Sequence, residues 1–372
     1  MMYRDSADVK VASAGIVVKT GRKWQAQEAI SRAETRRRHK TLVGSVAMGR
    51  AGLGSFPRPR YDRARDKEKR QLVQDEIRAE LEEERHSKMV SMSKQGAWTR
   101  WEHAEARKLT WAELWRAEPL RTKFLIQSVY DVLPSLANLH TWGLADTPEC
   151  KLCQRRGTLE HILSCCPKAL GEGRYRWHHD QVLKSLADSI CVAIQYSKSQ
   201  VTPKQSITFI RAGQKANQQP SSAGGLLTTA RDWQLQVDLG TKLKFPANIA
   251  PTSLRPDMVL TSDSTKQVVL LELTVPWEDR IDEANERKRA KYCELTTECR
   301  SNGWRARCES VEIGCRGFAG HSQQRVFKLL DIRGQQLRKA TKNILEATEK
   351  ASRWLWIRRG DPWCATWTQA GV

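Results

Sequence analysis

The sequence predicts an α+β or α/β protein in which a helical first half precedes a mixed β-sheet flanked by helices. Apolar residues recur at helical spacing in several segments before residue 196. Runs of strand length follow, with a strand over residues 233–239, a partner over 243–249, and two further strands before residue 276. Helical spacing returns over residues 322–358, so helices are expected to pack on the sheet.

The chain is strongly basic. Its 63 Lys and Arg residues against 42 Asp and Glu give a net charge of +21 and a pI near 9.8. A soluble chain of this charge usually has a polyanionic partner, so nucleic acid is expected, with Arg174, Arg176 and Arg255 as candidate contacts. A hydrophobic content of 40% with 14 Trp residues argues against wholesale disorder.

No apolar run approaches the roughly 18 residues that a membrane span requires. Residues 1–23 also lack the apolar core of a secretory signal. We therefore expect an intracellular protein with reduced cysteines and no membrane partner, located in the nucleus. The basic run at residues 36–40 is either a nuclear-localisation or phosphate-contacting patch or a solvated helix face.

Six successive segments are expected. Residues 1–95 form a basic, charged connector that is helical and partly disordered, and residues 96–149 form a second helical segment. Within it, residues 98–115 and 120–139 predict amphipathic helices, and Pro134 ends or kinks the second. Their aromatic residues either form a core or stack on nucleic-acid bases. The other segments are a metal-binding segment with its following helix, a polar linker, a strand-rich core and C-terminal basic helices, at residues 150–196, 197–225, 226–320 and 321–372.

Cys150, Cys153, His161 and Cys166 form a C-x2-C-x7-H-x4-C pattern. Thiolate and imidazole ligands at these spacings are typical of a closed tetrahedral Zn²⁺ site, which leaves no position for substrate and is therefore structural. Cys165 adjoins Cys166 and is an alternative fourth ligand. The competing interpretation is a set of buried thiols near a core histidine.

Two carboxylates are expected at the ends of neighbouring strands. A hairpin folded at Asp263 joins a strand that begins at Asp257 to a strand over residues 268–275, which carries Glu272. The two acids lie at slightly different distances from the turn, which strand twist or a bulge accommodates.

Glu272 interrupts an apolar run, so its carboxylate is expected inside a buried strand. A buried acid without a partner is unstable unless a metal ion or a cationic side chain offsets its charge. Carboxylate oxygens suit Mg²⁺, which activates water and neutralises phosphate charge, and Asp257, Glu272 and the additional acid Asp238 are its predicted ligands. Alternatively, Asp257 caps a turn and Glu272 pairs with an arginine.

A charged helix after these strands carries the candidate cation. On a helical wheel drawn from Ile281, Lys288 and Tyr292 fall near the centre of the apolar face, whereas Lys291 lies about 60° to its side. Lys288 is therefore predicted to point at the acids with Tyr292 beside it, and Lys291 is the second choice. Arg255 is also a candidate clamp for phosphate or carboxylate.

Residues 150–167 carry a family resemblance. With Thr-Leu-Glu at residues 158–160 and Pro167 after the last cysteine, this stretch resembles the zinc-binding segment that follows the polymerase in non-LTR (LINE-type) retrotransposon proteins. The most similar group carries a restriction-like PD-(D/E)xK endonuclease at the C-terminus. The resemblance covers residues 98–372.

The resemblance implies a restriction-endonuclease-like mixed sheet, structural Zn²⁺, catalytic Mg²⁺ and a DNA target that is nicked to prime reverse transcription, with element RNA as a second partner. Restriction-like enzymes usually place a lysine two residues after the second acid, where this chain has Thr274. The resembling nucleases carry that lysine on the following helix. The implied catalytic residues are Asp257, Glu272, Lys288 or Lys291, and Tyr292.

The sequence contains no polymerase motif with paired aspartates. We therefore expect the C-terminal part of a retrotransposon protein, which does not carry out reverse transcription by itself. The competing hypothesis is a catalytically inactive nucleic-acid-binding zinc module, or the remnant of a disabled element.

Overall fold

The computed structural model describes residues 25–47, 61, 64–107, 110–199 and 225–363, and the chain divides into two units, residues 1–99 and 100–372. Most of the linker predicted at residues 197–225 lies outside the described residues. Among the described residues, no helix combines the length and apolarity that crossing a bilayer requires.

The described part of the first unit forms two helices, α1 (Gln25–Ala47) and α2 (Asp66–Ser91), as the charge-rich sequence predicted. A small core that includes Ala33 and Val73 joins them. Ion pairs also connect the two helices, since the Nε atom of Arg37 on α1 lies 2.8 Å from the buried Glu76 on α2. The basic run of residues 36–40 is therefore partly neutralised by acids of the neighbouring helix.

The second unit begins with three short helices, α3 (Trp111–Arg116), α4 (Pro119–Val129) and α5 (Leu136–Thr141). The helix predicted over residues 98–115 was too long, since a Thr110 capping box starts α3 only at Trp111. Trp111 and Trp115 are 78% and 84% exposed, so the core interpretation is wrong for both. Helical spacing placed the two rings on one face but did not indicate which way that face points.

The cysteine-containing segment leads into α6 (Pro167–Gly171) and the long helix α7 (Arg174–Ser199). The predicted apolar face of α7 is buried, and it includes Val182, Leu186 and Ile190. These side chains join the main hydrophobic core, so α7 fixes the metal-binding segment to the sheet.

A five-stranded sheet forms the centre of the second unit, in the order β1 (Gln234–Val237), β2 (Met258–Ser262), β3 (Gln267–Thr274), β4 (Arg305–Gly314) and β5 (Phe318–Ala319). Only the β3–β4 pair is parallel. Between β3 and β4 the chain forms two helices, α8 (Ile281–Lys291) and α9 (Cys293–Ser301), in place of the single helix expected, because the backbone leaves the helical conformation at Tyr292. Two amphipathic helices follow, α10 (His321–Leu329) and α11 (Gly334–Ile357), as predicted.

The sheet lies between two helical layers. Side chains on one face, such as Leu271 and Val311, pack against α7, α10 and α11. Side chains on the other face, such as Leu270, pack against Leu295 of α9 and against Tyr292, which immediately precedes that helix. The chain is thus a mixed α+β protein, as the sequence predicted.

Residues 243–249 do not form the expected strand, although Leu243, Phe245 and Ile249 are buried against the sheet. Pro246 lies in the middle of this segment and has no backbone N–H for a strand ladder. Its carbonyl instead accepts the N–H of Ile249 in a turn. The apolar pattern identified buried residues correctly but not their backbone conformation.

Candidate active site and metal centre

The acid pair lies where β2 begins and β3 ends. Met258 is paired with Leu271, so Asp257 and Glu272 occupy opposing positions of the same antiparallel register, and the small offset that the sequence predicted is not found. The turn spans residues 263–266 and is centred later than predicted, which removes the offset. Each acid also binds the other strand's backbone, because Oε1 of Glu272 accepts the Asp257 N–H at 3.0 Å and Oδ2 of Asp257 accepts the Leu273 N–H at 2.9 Å.

Lys288 of α8 reaches both acids. Its Nζ atom donates a hydrogen bond to Oε2 of Glu272 at 2.5 Å and lies 3.6 Å from Oδ2 of Asp257. Ile281 and Ala284, which precede it on α8, are buried against the sheet, so the helix face that carries Lys288 points at the strands. The structure therefore places Lys288 at the acids, as the helical wheel predicted.

His179 is a fourth member of this cluster that the sequence did not reveal. It lies on α7, and its Nε2 atom is 3.4 Å from Oδ2 of Asp257. Its Nδ1 atom is 3.1 Å from Oδ1 of Asp180. The contact depends on how α7 packs against the start of β2, and the only sequence signal was the adjacent pair of histidines in the helix after the cysteines.

The charges of the cluster are mutually dependent. Burial by itself would raise the pKa of Asp257, but the hydrogen bond and charge of His179, with the charge of Lys288, lower it to about 2. Burial and the charge of Asp257 raise the pKa of Glu272, which Lys288 opposes. Burial by itself would lower the pKa of Lys288, but the two carboxylates raise it. Burial by itself would lower the pKa of His179, but its hydrogen bonds to Asp180 and Asp257 raise it to about 9. Two cationic side chains therefore face two carboxyl groups in a largely water-excluded site.

Tyr292 and Lys291 lie beside this cluster. The Tyr292 hydroxyl donates to the Arg255 carbonyl at 2.9 Å and accepts from Nζ of Lys291 at 2.9 Å. Burial and the charge of Glu272 raise the pKa of Tyr292. Lys291 thus contacts the tyrosine, and Lys288 is the lysine that contacts the acids.

Asp238 does not join Asp257 and Glu272 in a metal-ligand group. Its Oδ1 and Oδ2 atoms accept hydrogen bonds from Nη2 of Arg255 at 2.6 and 2.9 Å, and Oδ2 lies 3.2 Å from Nη2 of Arg176. Asp238 therefore anchors the two arginines at the start of the sheet. Arg255 is the carboxylate clamp that the sequence suggested, and Arg176 keeps a largely exposed side chain.

Arg174 does not lie on a surface that nucleic acid can contact, contrary to the prediction. Its side chain is only 3% exposed and forms an ion pair with Glu172. It also donates hydrogen bonds to the carbonyl oxygens of Arg358 and Asp361 and lies over the ring of Trp363 in a cation–π contact. Its alternation with Arg176 along the sequence puts the two residues on different sides of α7, so one is buried and the other exposed.

The predicted metal ligands come together. The ligand atoms of Cys150, Cys153, His161 and Cys166 all lie within 4.8 Å of one another, a spacing that suits a single metal ion. Zinc bonds of about 2.0–2.3 Å in a tetrahedron place ligand atoms roughly 3.3–3.8 Å apart, so small adjustments of the side chains suffice to bind the ion. Three cysteine thiols and one histidine imidazole form a ligand set that fits Zn²⁺. Cys165 is exposed, and its Sγ atom points to the Glu160 carbonyl, which resolves the choice in favour of Cys166.

Backbone hydrogen bonds and a tyrosine of α7 position the metal ligands. Cys150 and Cys153 lie in a tight turn in which the Cys150 N–H bonds the Arg155 carbonyl and Gln154 has a φ of 59°. The Cys166 N–H donates to the Tyr175 hydroxyl at 2.8 Å, so α7 holds the last ligand in place. Tyr175 lies one helical turn before His179, and α7 therefore contacts both the metal centre and the acid cluster.

Burial sets the protonation of the metal ligands. It raises the pKa of the Cys166 thiol to about 11, and the neighbouring thiols act in the same direction. Burial and the charge of Arg155 lower the pKa of His161, which leaves the imidazole neutral. Binding of Zn²⁺ must therefore release thiol protons, and its affinity should rise with pH.

No protein-family model matches this chain, and no curated protein is found to be similar to it. The geometry of the two clusters therefore carries the functional argument.

Proposed function

We propose that this chain is a Mg²⁺-dependent DNA endonuclease, the C-terminal part of a non-LTR retrotransposon protein that nicks target DNA to prime reverse transcription. One observation supports this most strongly: Lys288 lies 2.5 Å from Glu272 and 3.6 Å from Asp257, at the ends of two paired strands. Two carboxylates and a lysine at one sheet edge are the side chains that a restriction-like phosphodiesterase needs.

The carboxylates are suited to hold Mg²⁺ with few protein ligands. Mg²⁺ commonly uses one or two carboxylates together with water and substrate phosphate oxygens, so Asp257 and Glu272 are sufficient without Asp238. When bound, the ion would lower the pKa of a water molecule and neutralise charge on the phosphate. Asp257 and Glu272 would hold the ion, and Lys288, which contacts both carboxylates, would supply a second positive charge beside it.

The chain's own residues have separate tasks in this proposal. Glu272, which is fully buried, keeps its position through the Asp257 N–H and Lys288. Asp257 is 15% exposed and so faces the incoming substrate. Lys288 donates hydrogen bonds to negative oxygen atoms, and His179 holds Asp257 from the side of α7. Charge stabilisation of this kind is typically the largest contribution to phosphoryl-transfer catalysis.

The basic charge of the chain supports a nucleic-acid substrate. A net charge of +21 attracts a polyanion, and the exposed side chain of Arg176 lies in the same network as Asp238 and Arg255, next to the start of β2. The zinc centre, connected to the acids through α7, would give this network a fixed position relative to DNA or element RNA.

Nicking of supercoiled plasmid in Mg²⁺ tests the proposal. The zinc-loaded chain should convert supercoiled plasmid into nicked circles, and Asp257→Asn and Lys288→Met should each lower the rate by about 100-fold or more. Arg287→Met is the matched control, because it removes one positive charge from an exposed position of the same helix. No nicking by the wild type, or equal nicking by Asp257→Asn, would contradict the proposal.

A second candidate function is nucleic-acid binding by a zinc module without catalysis. One observation favours it: Lys288 and His179 form ion pairs with Glu272 and Asp257. A cluster that only stabilises the fold would show the same ion pairs. This alternative predicts salt-sensitive DNA binding by the wild type, unchanged in Asp257→Asn, with no nicked product in either case.

A further inference from the structure

A row of buried polar residues continues from the acid cluster across the parallel strands. In the β3–β4 register, Glu272 lies opposite Ser310 and Thr274 lies opposite Glu312. Paired residues of adjacent strands point to the same face of a sheet. The face is the one covered by α8, since Lys288 of that helix bonds Glu272 and Asn285 bonds the other end of the row.

Two polar atoms in this row have no hydrogen-bond partner among the described residues. They are Oε1 of Glu312 and the Thr274 hydroxyl, and both residues are buried. The Asn285 amide reaches Oγ of Ser310 at 2.7 Å and Oε2 of Glu312 at 3.1 Å, which leaves Oε1 unsatisfied. Because Thr274 and Glu312 are register partners on one face, their unpartnered oxygens belong to the same small region.

Glu312 also lacks a charge partner. Within the described residues, no arginine, lysine or histidine lies within ion-pair distance of its carboxylate, whereas the neighbouring Glu272 is paired with Lys288. Asn285 is neutral and satisfies only one of the two oxygens. A fully buried carboxylate is destabilising unless a cation or a proton compensates it, and an amide alone does neither.

We propose that Glu312, Thr274, Ser310 and Asn285 form a binding site for a small hard divalent cation, separate from the Asp257–Glu272 pair. Carboxylate and hydroxyl oxygens are hard ligands that suit Mg²⁺ and Mn²⁺. Nδ2 of Asn285 donates to Ser310 and Glu312, so Asn285 would present its amide oxygen to the cation after a flip of the amide. The cation would satisfy both unpartnered oxygens and the charge of Glu312. The site stands independently of the nuclease proposal, because its residues contain neither Asp257 nor Glu272.

The position of the site suggests its effect on the neighbouring cluster. Asn285 and Lys288 lie three residues apart on α8, so a cation beneath Asn285 fixes the helix turn that carries Lys288. Binding there would therefore order α8 even where the acid pair is absent.

Electron paramagnetic resonance with Mn²⁺ tests the inference. The background is the zinc-loaded double variant Asp257→Asn/Glu272→Gln. A chelating resin removes divalent cations from the buffer before the protein is added, so the protein keeps its zinc. We expect this variant to bind about one Mn²⁺ per chain, and the addition of Glu312→Gln to weaken that binding by 10-fold or more. Glu309→Gln is the matched control, since Glu309 lies on the same strand but pairs with Arg325 on the opposite face; it should leave binding unchanged.

Absence of bound Mn²⁺ in the double variant, or equal binding after Glu312→Gln, would overturn the inference whatever the plasmid assay shows. If Glu312→Gln loses its circular dichroism or its zinc, Thr274→Val in the same background decides. A 10-fold lower Mn²⁺ affinity in Thr274→Val supports the site, and an unchanged Mn²⁺ affinity refutes it. Failure of nicking by the wild-type chain has no bearing on either result.

Discussion

Replacing Lys288 with methionine removes a cation from a fully buried carboxylate. Nζ of Lys288 is 2.5 Å from Glu272, whose side chain has no exposed area. His179 contacts only Asp257 in this cluster and does not take over the role. Lys288→Met therefore leaves Glu272 as an unpaired buried charge while the methionine preserves most of the side chain's volume.

The magnitude follows from the cost of breaking a buried ion pair. Removal of one partner typically destabilises by about 3–5 kcal/mol, because the remaining charge stays buried, whereas removal of both charges is often nearly neutral. We expect Lys288→Met to lower the free energy of unfolding by about 3 kcal/mol. The double variant Lys288→Met/Glu272→Gln should recover at least about 2 kcal/mol of this loss.

Urea unfolding of zinc-loaded protein, followed by tryptophan fluorescence, measures these free energies. Arg287→Met should change the free energy of unfolding by less than about 0.5 kcal/mol, since it alters an exposed position of the same helix. Additive effects of Lys288→Met and Glu272→Gln, or a cost of Lys288→Met equal to that of Arg287→Met, would refute the proposed pairing.

Three further predictions concern other parts of the structure. Cys150→Ser should abolish zinc binding in elemental analysis and lower the melting temperature. Cys165→Ser should retain one zinc per chain, because Cys165 lies outside the cluster. Zinc retained by Cys150→Ser would contradict the assignment. Burial lowers the pKa of His178 to about 4 from an ordinary value near 6.5. The contribution of neutral His178 to the free energy of unfolding is therefore fully present above pH 6.5 and is lost as the pH falls to about 4, by on the order of 3 kcal/mol. His178→Gln should flatten that decline in pH-dependent urea unfolding, and an unchanged slope would count against it. Arg176→Gln should make DNA binding less salt-dependent, by about one unit in the slope of log affinity against log salt, and an unaltered slope would remove Arg176 from the interface.

The sequence was sufficient for those parts of the site that depend on local periodicity. Strand spacing placed Asp257 and Glu272 on neighbouring strands, and helical periodicity selected Lys288 over Lys291, because both patterns act over a few residues. The spacing of the metal ligands also identified Cys150, Cys153 and His161, but it left Cys165 and Cys166 open as the fourth ligand until the structure placed Cys166 in the cluster. These features follow from backbone geometry that each short segment determines by itself.

Features that depend on tertiary packing were not predicted. His179 meets Asp257 only because α7 crosses the sheet end, and no local pattern encodes that contact. Arg174 is buried for the same reason, since Arg358 and Asp361 accept its hydrogen bonds from beyond the end of α11. The position of Glu312 beside Thr274 required the β3–β4 register, which depends on the long crossover through α8 and α9.

The central claim is that Asp257, Glu272 and Lys288 break a phosphodiester bond. The most direct measurement is single-turnover cleavage of end-labelled duplex DNA in Mg²⁺, with analysis of the ends that are formed. We expect a strand break with a 3′-hydroxyl that an added polymerase extends, and a rate about 100-fold lower in Glu272→Gln. Intact DNA with the wild type, ends that cannot be extended, or equal cleavage by Glu272→Gln would contradict it.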